Sequence, residues 1–160
     1  MKYPFFLFLG LLLSKMAPSQ CDNSLVGKWK VIAILYGGTY LNLKTDSVHF
    51  SAPMANFFTT DSSKQVFITE QKKFYENMQF HFVNDSSFNL RLADDYVENI
   101  KYCFRKKDNL IAITTKNDFG KNNTNEQLAT LKNELLYYTI TPIELREFSL
   151  EVVLEKIAAH

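Results

Sequence analysis

The sequence predicts a mainly β protein: one exported domain folded as an antiparallel up-and-down β-barrel with one short inserted helix. Three observations carry that expectation. Pairs of alternating, β-prone segments flank polar turns, so hairpins follow one another along the chain. Gly and Pro are few, 5 and 4 residues of 160, and no linker, repeat or low-complexity run divides the chain. An apolar leader precedes the first strand.

The leader comes first. Met1 and Lys2 give a short basic start, and Pro4 to Leu13 reads PFFLFLGLLL. Lys15 ends that run, and Ala17-Pro18-Ser19 supplies small residues for cleavage. This is the pattern of a secretory signal peptide. The apolar run is shorter than the roughly 20 residues that cross a bilayer. Residues 1–20 are expected to be removed, and 21–160 to form the domain, periplasmic or secreted. Cys21 opens a second route, an outer-membrane lipoprotein with a lipid anchor on that residue. Its processing signal wants Leu three residues before the cysteine and a small residue directly before it. Pro18 and Gln20 stand there and fit poorly.

Losing Lys2 and Lys15 takes Lys and Arg from 18 to 16, against 17 Asp and Glu, a net charge of −1. So even a balance gives no electrostatic basis for binding nucleic acid or an anionic membrane. The chain has two cysteines, Cys21 and Cys103, and both lie in the mature part. In an exported protein that suggests one disulfide. A lipid on Cys21 would instead leave Cys103 a free thiol, so the two fates exclude each other.

The strands follow in order. Leu25 to Tyr36, LVGKWKVIAILY, is rich in β-branched and aromatic residues. Gly37 to Val66 is less readable, with a short strand at Ser47–Ser51 and a loop holding Pro53. Phe67, Phe74, Tyr75 and Met78 recur at helical spacing, which predicts a helix over 67–78 with Thr69 as its cap. Met78 to Val83 and Ser87 to Leu92 flank Asn84-Asp85-Ser86 as a hairpin, with Phe80, Phe82, Phe88, Leu90 and Leu92 on one face. Ile100 to Arg105 and Leu110 to Thr115 form a second hairpin. Lys116 to Asn133 is polar and Asn-rich, and reads as a long loop or as a short helix over 125–132. Leu135 to Thr141 and Phe148 to Glu155 form a third hairpin around Pro142 to Glu147. Successive hairpins close most simply into a barrel, which removes exposed edges.

At Gly27-Lys28-Trp29 the sequence resembles the strand that opens lipocalins, and more closely the small exported lipocalin-like domains of bacteria. In these a helical insertion follows, then a Phe-x-Phe…Phe hairpin, here Phe80, Phe82 and Phe88. The last strand ends in Leu-x-Lys, here Leu154-Glu155-Lys156. The resemblance covers nearly all of residues 25–157 in order and spacing. It implies that Gly27 permits close approach at the barrel floor, that Trp29 plugs the floor, and that Lys156 lies over the Trp29 ring. It also implies a small hydrophobic molecule as partner, bound in the open end of the barrel. By strand parity that molecule would touch Ala33, Leu35, Phe80, Phe88, Leu90, Tyr102, Phe104, Tyr138, Phe148 and Leu150. The alternative is that the same residues fill a solid core, since an eight-stranded barrel is only just wide enough for side chains or one small ligand.

Reactive chemistry is sparse. His49, His81 and His160 show no metal-ligand spacing, and His81 is expected to face away from Phe80 and Phe82. Asp94-Asp95 and Glu98 read as a solvated loop. No nucleophile elbow, phosphate loop or Cys-x-x-Cys is present. Arg105-Lys106-Lys107 is a short solvated run. Asn84 and Asn122 begin glycosylation sequons that matter only in a eukaryotic secretory route. No catalytic residue, metal or cofactor is expected. A ligand-binding module is the first reading. A cell-envelope interaction or structural protein with a filled barrel is the second, working through the loops at 37–66 and 116–134, with Met54, Phe57 and Phe58 as an exposed patch.

Overall fold

The structure is a computed structural model, and it describes residues 21–92, 95–116, 120–140 and 149–158. The expected leader at 1–20, Asp94, Phe148, His160 and the expected turn at 142–147 lie outside the described residues.

Along the chain run β1 (Gly27–Tyr36), β2 (Thr39–Asn42), β3 (Ser47–His49), α1 (Ala52–Ala55) and α2 (Asp61–Tyr75). Then follow β4 (Gln79–Phe82), β5 (Ser87–Leu92), β6 (Asp95–Arg105), β7 (Leu110–Lys116), β8 (Asn122–Lys132), β9 (Leu135–Thr139) and β10 (Leu150–Lys156). Each pairs antiparallel with the next from β4 to β10, and β10 returns to β1. Among the described residues eight strands thus close an up-and-down barrel, β1 and β4 to β10. The long β1 makes closure possible. Its first half pairs with β4 and its second half with β2, while β10 runs along its other edge.

The barrel is closed at one end by the start of β1. Trp29 pairs with Phe80 on one side and Lys156 on the other. Its indole Nε1 donates to the Leu25 carbonyl at 2.6 Å, and the Lys156 ammonium lies 5.6 Å from its ring centroid. Gly27, at φ +129°, sits directly under Lys156. A Cβ there would come within 2.6 Å of Lys156 Cε. Gly27→Ala is therefore expected to destabilise by about 1–3 kcal/mol, since a side chain at that φ is strained. A denaturant titration checks this, and an unchanged midpoint would show that the floor tolerates a side chain.

Two irregularities reset the alternation. Register between β1 and β10 slips between Val31 and Ala33, which puts a bulge at Ile32. Beyond it Ile34 points into the core at 3 % exposure and Leu35 points out at 37 %. Ala33 pairs with Val153, on the face opposite Val152 and Leu154. The expectation that Ala33 and Leu35 face the interior is thereby corrected: one inserted residue moves every later side chain to the other face. In β6, Asn99 adopts φ +56°, and the partners of Phe88 and Leu90 are Ile100 and Val97.

The helix starts six residues earlier than its apolar spacing predicts. Thr60 Oγ1 accepts from the Ser63 amide at 3.1 Å, and Ser63 Oγ accepts from the Thr60 amide at 3.3 Å. This reciprocal cap starts a first turn that carries only polar residues. Ile68 reaches the core, while the Phe67 ring packs at a tilt against Phe50 and Phe58. Lys72 ties the helix to Asp46 in the β2–β3 turn at 2.8 Å. The stretch 116–133 is neither loop nor helix in its main part. It forms β8, paired on both sides by β7 and β9. No helix among the described residues is long and apolar enough to cross a membrane.

Cys21 and Cys103 are joined by a disulfide across 82 residues of sequence. Cys103 lies on the outer face of β6, between the inward Tyr102 and Phe104. The Asp22 amide then donates to the Phe104 carbonyl at 2.8 Å, so the N-terminal arm is held against the wall of the barrel.

Candidate functional site

The inward face changes character along the barrel axis. Toward the Trp29 end the side chains are buried and touch one another. Phe80, Phe82 and Phe88 stack at 5.2–6.4 Å between centroids, and Tyr102 meets Phe82 and Phe88 edge-on. Phe104 is fully buried beside Ile111. Phe80 also meets Tyr138 edge-on at 5.6 Å. These two rings come from β4 and β9, which are separated in the ring by β1 and β10. The contact therefore crosses the interior, and below it the barrel is filled.

Above that contact the inward side chains are only partly buried. Leu90 and Leu92 of β5, Ile100 of β6 and Leu150 of β10 pack against the core on one side and are open on the other. Tyr36 and Val97 are more exposed still at the rim. These partly exposed apolar side chains mark the end of the barrel opposite Trp29, called the mouth below, and the Phe80–Tyr138 contact is taken as its base.

One polar pair lies at that base. Gln127 of β8 pairs with Ile111 and so faces inward, at 8 % exposure. Tyr138 donates its hydroxyl hydrogen to Gln127 Oε1. Gln127 Nε2 in turn donates to the Ile140 carbonyl, where the pairing of β8 with β9 has ended. Burial pushes the Tyr138 phenol well above the ordinary tyrosine range, so it stays neutral and a donor at physiological pH. One step nearer the rim on the same face, Asn125 pairs with Ile113 and is half-buried.

The residues expected to contact a ligand thus divide. Leu90 and Leu150 line the mouth, and Tyr138 forms its base. Phe80, Phe88, Tyr102 and Phe104 fill the lower barrel. Ala33 shares the face of Val153 and is buried at 2 %, Leu35 is exposed, and Phe148 lies outside the described residues. Gln127 and Asn125 were hidden from sequence reasoning, because an Asn-rich stretch does not look like a strand. The signal that could have found them is the alternation Gln127, Ala129, Leu131 leading into the last hairpin.

His81 faces outward, opposite Lys28 and Asn89, and His49 is exposed. Asp95 and Glu98 are exposed at the rim. Among the described residues no three His, Cys, Asp or Glu side chains converge as a metal site would need. No protein family, curated protein or solved structure matches the chain.

Proposed function

We propose that this chain is an exported, lipocalin-like binding protein that holds a small hydrophobic molecule in the open end of its barrel. The observation that carries the reading is the break in packing along the inward face. Rings touch wall to wall up to Phe80 and Tyr138. Above them Leu90, Leu92, Ile100 and Leu150 leave apolar surface uncovered. Apolar surface gathered in a concavity, with few polar groups to orient a guest, is the usual make-up of a small-molecule site. The Cys21–Cys103 disulfide suits an oxidising compartment, which supports export.

Native mass spectrometry of the exported protein tests the reading. A non-covalent adduct of a few hundred daltons, lost on denaturation, is the expected result. Leu150→Arg places a charge among the mouth residues and should lower occupancy roughly tenfold or more while leaving the buried lower barrel intact. A bare chain in the native protein would overturn the reading.

A bare chain would favour the second reading, a filled barrel that works through its surface. What supports that one is the α1–α2 segment. Phe57 is 76 % exposed, and Val66 and Phe74 are exposed on α2. Large apolar side chains left in water suggest contact with another molecule.

A further inference from the structure

We propose that one wall of the mouth selects its guest by hydrogen bonding: Asn125 and Gln127 of β8, with Tyr138 of β9, favour a neutral molecule bearing a carbonyl or hydroxyl group over a hydrocarbon of the same shape. The inference rests on the mouth being the binding site, and adds to it the class of ligand.

The argument begins with register. Asn125 and Gln127 pair with Ile113 and Ile111, which share a face with Tyr102 and Phe104. Two side-chain amides therefore stand one above the other on the inner wall of β8. The partly buried inward residues of β5, β6 and β10 are apolar: Leu90, Leu92, Ile100 and Leu150. One wall can hydrogen-bond and the others cannot, so a guest is oriented as well as held.

Gln127 has capacity left over. A primary amide offers two N–H donors and two acceptor lone pairs. One donor goes to the Ile140 carbonyl and one lone pair takes the Tyr138 hydroxyl. One donor and one lone pair remain, on a residue that is nearly buried in apolar surroundings. An apolar side chain of the same size would fill the position without that desolvation cost. The Tyr138 oxygen likewise keeps lone pairs free to accept. The amide is thus pinned by two internal bonds with one donor and one lone pair left unassigned, and on this proposal those groups meet the guest.

Charge narrows the class. Among the described residues, the inward positions that carry a charge are Asp95, at the rim opposite Leu92, and Lys156, at the floor beside Trp29. Neither stands at the level of Gln127. A carboxylate or ammonium placed there would be desolvated without a partner, so the guest is neutral.

The test uses the mature chain and two probes of nearly the same shape, naphthalene and naphthol, in equilibrium dialysis at neutral pH. Naphthol is expected to bind at least roughly tenfold tighter, since a polar group unmatched by the guest penalises the hydrocarbon. Gln127→Leu and Asn125→Leu should each erode that preference, chiefly by tightening the binding of naphthalene as the unmatched amide is removed. Two variants are used because loss of Gln127 also strands the Tyr138 hydroxyl, and Asn125→Leu does not. A preference that survives in both variants, or none in the native chain while naphthalene binds normally, overturns the polar wall and leaves the mouth standing. Binding of neither probe overturns both.

Discussion

Trp29→Ala is expected to lower stability by about 3–5 kcal/mol, the range for deleting a buried aromatic side chain. Three losses add up at one position. The indole is 1 % exposed and fills the floor between β4 and β10, so its removal opens a cavity that closed strands cannot collapse around. The Leu25 carbonyl loses the indole N–H that donates to it at 2.6 Å. Lys156, 5.6 Å from the ring centroid, loses the face over which its charge rests. Partial substitutions separate these contributions. Trp29→Phe keeps much of the ring but loses the N–H, and should cost about 1–3 kcal/mol. Lys156→Ala removes only the cation and should cost about 0.5–2 kcal/mol. A domain this size has only about 5–15 kcal/mol in total, so Trp29→Ala should move the denaturation midpoint far. Circular dichroism in a urea series measures it, because the variant has no tryptophan left to report. An unchanged midpoint would remove Trp29 from the role of plug.

The reason Trp29 could be read from the sequence also explains what could not. Val152, Leu154 and Lys156 alternate without interruption, so parity alone carries Lys156 inward to Trp29. In β1 the run Val31 to Leu35 is wholly apolar, and a bulge at Ile32 leaves no trace in such a run. Either face could be the buried one, and parity counted from Trp29 gives the wrong answer for Ala33 and Leu35. The hairpins of β4 to β7 were legible because their Phe and Ile residues alternate with polar ones between clear turns. β8 was not, because Asn122 to Gln127 has little intrinsic strand preference. Pairing with β7 from Asn122 to Leu128, continued by pairing with β9 from Ala129 to Lys132, holds it extended, a tertiary effect that overrides composition. The site divides along the same line. Its apolar walls, Leu90 and Leu150, follow from alternation. Its amide wall, Asn125 and Gln127, follows only from the closed ring.

Breaking the Cys21–Cys103 bond should cost about 4 kcal/mol in the chain-entropy model, given the 82 residues that the bond encloses. The larger consequence is local. The bond fixes an arm whose next residues do structural work: the Asp22 amide reaches the Phe104 carbonyl, Leu25 is fully buried, and the Leu25 carbonyl receives the Trp29 indole. The disulfide and the floor plug are therefore coupled through five residues. Leu25→Ala should cost about 2–5 kcal/mol in the oxidised protein, as a buried leucine does. In a Cys21→Ser, Cys103→Ser protein the arm is free to fray, and the same substitution should cost measurably less. Two residues that share a structural element are expected to couple in this way, and a double-mutant cycle reads the difference. Equal cost in both backgrounds would show that the arm docks without help from the bond. Mass and thiol titration come first. A mature chain two hydrogens light, with no thiol in the denatured, unreduced state, is the expected result. One free thiol per chain would overturn the pairing, leave Cys103 free, and favour the lipid on Cys21 that the sequence offers as the alternative.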